Sequence, residues 1–148
     1  MKTCFKSLTA VVLSVVLTGC DMGPKSGKGF QLPDGSVEKG KEAFLALQCY
    51  TCHRVDGVEL PPPVATAPTN TVLGGKVTYI RTYGELVTSV INPSHGLAPG
   101  FTADQIKEGK LSPMPEFNHL MTVQQMIDLV AFLQSRYSKL VIERDPYR

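Results

Sequence analysis

Apolar side chains recur at helical spacing in two stretches of the chain and dominate one block near its start. The clearest periodic stretch holds Met126, Leu129, Val130, Leu133 and Tyr137, one face of a helix at i, i+3, i+4, i+7 and i+11. Thr122 and Gln125 stand ahead of it at capping-box spacing, so a helix is predicted from Thr122 with its stripe running to Tyr137. An earlier stretch, Val37 to Leu47, carries Val37, Phe44, Leu45 and Leu47, with Ser36 as N-cap and Glu38 in the first turn. Two further helices are predicted from their punctuation. One opens at Thr82, boxed with Glu85, and stops before Pro93; a short one runs from Thr102, boxed with Gln105, to Gly109.

Between His53 and Thr82 no period can be read, and Leu60-Pro61-Pro62-Pro63 opens a connection rich in Pro, Thr and Val. A structureless loop of that length is unusual inside a compact domain, unless it wraps a large apolar ligand. The pattern therefore predicts an all-α protein of about four short helices and long loops.

The apolar block, Leu8 to Leu17, follows Lys2 and Lys6; it is short for a transmembrane helix and suits a secretory signal. It ends in Leu17-Thr18-Gly19-Cys20, which looks like a bacterial lipoprotein signal that is cleaved before a lipidated Cys20. In an ordinary signal peptide Cys20 would be incidental. Asp21 resembles the inner-membrane retention signal of enterobacterial lipoproteins, which places the protein on the periplasmic side of that membrane. The expected organisation is a signal peptide at 1–19, a lipid-anchored tether at 20–35 and one domain at 36–148. The tether, rich in Gly, Lys, Ser and Pro, would span roughly 20 Å.

Charge sharpens the exclusions. The formal net charge is +2, with 15 basic and 13 acidic side chains. Removal of Lys2 and Lys6 with the signal makes the mature chain neutral before any cofactor is counted. No basic block suggests nucleic acid. Paired carboxylates, a nucleophile elbow and a Gly-rich phosphate loop are all missing from the sequence, so it reads as a non-enzyme.

Of four cysteines, Cys4 leaves with the signal and Cys20 takes lipid, so Cys49 and Cys52 remain. Cys49-Tyr50-Thr51-Cys52-His53 has the spacing of covalent haem attachment: two thiols for two vinyl groups and an adjacent imidazole for the iron. A zinc knuckle would want a second close Cys/His pair, which neither His95 nor His119 supplies. A thioredoxin-like pair would expect a βαβ setting, and a plain disulfide would not need His53. Export agrees with haem, since this attachment takes place outside the bacterial cytoplasm. For the opposite axial position Met114 is the first candidate, because Pro113 and Pro115 hold it in an extended loop where it makes poor core filler. Met22 lies in the tether, and Met121 and Met126 belong to the last helix and its stripe. His95 and His119 are the rivals; a bis-His site would lower the reduction potential, whereas Met raises it.

Across residues 36 to 137 the chain resembles a class I, single-haem cytochrome c. Val37-Glu38-Lys39-Gly40-Lys41-Glu42-Ala43-Phe44 followed by Cys49 to His53 is similar to that family's first helix and haem motif, and Asp128 to Leu133 to its last helix. The resemblance implies that these helices cross closely, Gly40 against Phe132 with Phe44 and Leu129 alongside. It implies one covalent haem c with His53 and Met114 as axial ligands, and a membrane-anchored electron carrier serving redox partner proteins. Other possibilities are an electron-transfer subunit of a periplasmic oxidoreductase complex and a five-coordinate haem sensor or peroxidase-like protein. The chain departs from the family in placing Pro61-Pro62-Pro63 where a Gly-Pro is usual. One of these carbonyls is expected to accept from the His53 ring. Arg81, Tyr79 and Tyr83 are candidate partners for the haem propionates.

Overall fold

The computed structural model describes residues 29–63, 71–96 and 111–140. The predicted helix at 102–109, the signal segment and Cys20 lie outside these residues. The compact unit begins at Leu32.

Helix α1 spans Val37–Ala46, α2 Tyr83–Ile91 and α3 Val123–Gln134. Their starts follow local chemistry. Ser36 Oγ accepts from the Lys39 N–H at 3.2 Å, and Thr82 with Glu85 and Thr122 with Gln125 form complete capping boxes. A single 3₁₀ turn, Cys49–Thr51, follows α1.

Two features depart from the sequence-based expectation. The connection after His53 is not structureless. Strand β1, His53–Val55, pairs in parallel with β2, Thr71–Leu73. Strand β3, Gly75–Val77, pairs in parallel with β4, Tyr137–Lys139. Each strand is three residues long, too short for an alternation of period two to be read, and its partner is distant in sequence. The last helix also stops before Tyr137. Ser135 Oγ donates to the Phe132 carbonyl at 2.7 Å, and the Arg136 carbonyl accepts from Gly75 N–H at 3.0 Å. The backbone is thus drawn into a ladder in place of another helical turn.

The core is the crossing of α1 and α3. A Cβ placed on Gly40 would overlap the Asp128 carbonyl oxygen and lie 2.5 Å from Phe132 Cβ. Only glycine lets the two backbones come this close. Beside it Phe44 and Phe132 meet edge to face, ring centroids 5.8 Å apart, and with Leu129 they are the most deeply buried large side chains. Arg136 lies over the other aromatic partner, its guanidinium carbon 5.6 Å from the Phe132 centroid.

A buried carboxylate fixes the same crossing. Asp128 Oδ1 accepts from the Ser36 N–H at 2.8 Å and from Gln124 Nε2 at 3.1 Å, and the residue is 4% exposed. It satisfies an N–H just ahead of α1, where the helix dipole also favours negative charge. Leu32 packs against the core and Gly35 sits against Ile127 and Ala131 of α3. The domain therefore holds the chain four residues earlier than the helix pattern indicates.

Candidate cofactor cleft lined by Cys49, Cys52, His53 and Met114

The path from α1 into the cleft turns on one residue. Gln48 adopts φ 55°, ψ 28°, the left-handed region that non-glycine residues seldom occupy. Its carbonyl accepts from Thr51 N–H at 3.1 Å and Thr51 Oγ1 at 2.8 Å. This reversal ends α1 and turns Cys49, Cys52 and His53 toward one cavity.

The cleft comprises two lobes that share wall residues, among them Cys49, His53, Arg81 and Met114. The outer lobe, of about 570 Å³, is lined by Cys49, Cys52, His53, His95, Met114 and Tyr137 among others. That volume lies within the range of cofactor and small-molecule sites. The inner lobe, of about 130 Å³, reaches the core at Phe44, Leu86, Val90, Leu129 and Leu133. Cys49, His53 and Met114 line both lobes. The α1–α3 crossing thus forms the floor of the cleft, and the Pro113-Met114-Pro115 loop forms part of its wall.

The chemistry of the donors fits haem. Burial, with Cys52 nearby, pushes the Cys49 thiol up to about 11, its own backbone hydrogen bond opposing. That is the reverse of the activated thiolate of a redox CxxC pair. Cys49 and Cys52 are both free thiols. Among the described residues no group of three or more His, Cys, Asp or Glu side chains is placed to hold a metal ion. Burial likewise lowers the His53 imidazole below its usual value, the Thr71 backbone acting the other way. His53 Nδ1 is buried without a hydrogen-bond partner. The Thr71 backbone is near, but no well-formed bond reaches Nδ1. The expected carbonyl from Pro61, Pro62 or Pro63 does not supply it. A neutral buried imidazole in an apolar cleft is suited to coordinate iron.

The rival axial residues separate by position. Met121 lines only the inner lobe and packs on the core, and Met126 is buried in α3. His95 lies exposed at the outer lobe with Nδ1 2.8 Å from the Asn92 carbonyl. His119 is not on the cavity wall. Of the propionate candidates, Arg81 lines both lobes and sits 4.0 Å from Glu85. Tyr79 is 61% exposed and its hydroxyl donates to Glu85 at 2.8 Å. Ser89 and Tyr137 are wall residues that the sequence did not single out. Ser89 stands one position off the apolar face of α2, and Tyr137, on the predicted helical stripe, reaches the wall from strand β4.

This is the architecture of a c-type haem protein: helices crossing under an apolar cleft, with a CxxCH turn at its wall. A family model described as Cytochrome c matches residues 37–136, and the chain belongs to the cytochrome c family. No curated protein and no solved structure matches the chain significantly. Membership carries covalently attached haem c and electron transfer with redox partners, and Cys49 and Cys52 have the attachment spacing.

Proposed function

We propose that the protein is a membrane-anchored periplasmic electron carrier whose haem iron is held between His53 and Met114. The observation that carries this reading is that both side chains line both lobes of one apolar cavity, with Cys49 beside them. Haem supplies one-electron exchange between ferrous and ferric iron when bound. Cys49 and Cys52 would fix it to the turn after α1. His53 and Met114 would fill both axial positions, leaving no open site for a small substrate. Phe44, Leu86, Leu129 and Leu133 give the inner lobe an apolar lining, and an apolar setting together with a thioether ligand favours a raised potential. The anchor rests on Leu17-Thr18-Gly19-Cys20 and Asp21.

The test is the absorption spectrum of the native protein and of Met114→Ala in both redox states. The reading expects a near-red band from sulfur bound to ferric iron that disappears on substitution. Absence of the band in native protein, or its survival in Met114→Ala, refutes Met114 as the ligand. Tight carbon monoxide binding by native ferrous protein would instead indicate an open sixth position. For the anchor, Cys20→Ser should move the haem-stained protein from the membrane to the soluble fraction.

A further inference from the structure

We propose that the C-terminal end of α2 is a clamp that holds the Met114 loop against the cleft, acting through Ser94, Ser112 and Asn118. The proposal rests on Met114 being the axial ligand.

The last carbonyls of a helix have no partner within it. In α2, Asn92 N–H closes the final turn on the Thr88 carbonyl at 2.9 Å. Pro93, which is buried, then offers no N–H to continue. The Ile91 carbonyl, at the last residue of α2, accepts from Asn118 Nδ2 at 2.9 Å. Three residues on, Ser94 Oγ accepts from Ser112 N–H at 3.1 Å. Ser112 Oγ in turn accepts from Met114 N–H at 3.2 Å. Residues 112 and 118 are thus tied to the same short stretch, 91–94, on either side of Met114.

The prolines explain why such ties are needed. Pro113 and Pro115 restrict the backbone but carry no N–H, so Met114 holds the only backbone donor between them. Prolines stiffen the loop; they cannot attach it to the domain. The Ser94–Ser112 link is partly buried and the Asn118 link is exposed, so water competes more at Asn118. Ser94 is therefore the stronger of the two positioning residues. Neither touches the iron.

The experiment uses ferric holoprotein and reads the near-red band together with the affinity for added imidazole, which must displace the sixth ligand. Ser94→Ala should weaken the band and tighten imidazole binding about fivefold, the equivalent of one ordinary hydrogen bond. Ser112→Ala, which removes the hydroxyl nearest Met114, should do the same and stands in if Ser94→Ala fails to fold. Asn118→Ala should give a smaller effect in the same direction, and Ser94→Thr, which keeps the hydroxyl, should restore the native values. Thr82→Ala removes the capping box at the other end of α2 and should lower stability without changing either readout. The clamp is overturned if the Ser and Asn variants leave both readouts native, or if Thr82→Ala changes them equally. Failure of the ligand reading is separate: there Met114→Ala itself would keep the band.

Discussion

Replacing Gly40 by alanine should destabilise this protein, although the same change in most helices stabilises. The new methyl would overlap the Asp128 carbonyl and stand 2.5 Å from Phe132 Cβ. One obstacle is backbone, so relief requires α1 and α3 to separate. Overpacking of this kind reaches about 3 kcal/mol. Separation also stretches the 2.8 Å bond from Ser36 N–H to Asp128, adding about 1 kcal/mol. Alanine returns about 1 kcal/mol of helix propensity. The net loss is about 3 kcal/mol, and at roughly 4 °C per kcal/mol for a domain of this size the melting temperature falls by roughly 12 °C. Gly84 in α2 is the matched control. A Cβ there meets only Thr82 Oγ1, at 4.0 Å, so Gly84→Ala should gain about 0.5–1 kcal/mol. The assay is urea unfolding of holoprotein followed by far-ultraviolet circular dichroism, with the slope unchanged and the midpoint shifted. Because the haem is covalent, its free concentration does not enter the comparison. Equal shifts for the two variants, or a stabilised Gly40→Ala, would refute the close crossing.

Asp128→Ala strands the Ser36 N–H and removes the Gln124 contact, and should cost about 1–3 kcal/mol in the same unfolding experiment; a larger loss for the isosteric Asn would count against hydrogen bonding as its role. Glu85 adds a pH dependence. Its carboxyl is held below the usual value of 4.5 first by the Thr82 N–H and then by the Tyr79 hydroxyl. A lowered folded-state value means the contribution is present above the unfolded-state value and is lost as pH falls through the folded one. The stability difference between native protein and Glu85→Gln should therefore shrink on acidification below that range, and a difference that grew instead would reverse the assigned sign.

The three described helices were legible because their signals are local. Ser36, Thr82 and Thr122 each cap the helix they precede, and the Met126–Leu133 stripe is the buried face of α3. The cofactor was legible because covalent attachment imposes a fixed spacing on Cys49, Cys52 and His53. The close crossing at Gly40 was suggested by family resemblance and a helix position that glycine otherwise weakens. The strands were not legible. His53 pairs with Thr71 and Gly75 with Tyr137, and a three-residue strand declares itself only when its partner arrives. The same cause hid the end of α3, where the stripe runs on to Tyr137 but the backbone leaves the helix to meet β3.

By itself, then, the amino-acid sequence determined the starts of the three described helices, the haem motif and the set of candidate ligands, which depend on neighbours within a few residues. Tertiary structure decided which candidates share a cavity. It set Met126 in the core, Met121 against the core at the inner lobe, His95 at the outer lobe, and Met114 on the walls of both lobes with His53. It also supplied what proline could not, the hydrogen bonds that Ser112 N–H and Asn118 Nδ2 donate to Ser94 Oγ and the Ile91 carbonyl, attaching the Met114 loop to the domain. Such contacts join residues far apart along the chain, and their geometry exists only once α1 and α3 have crossed at Gly40.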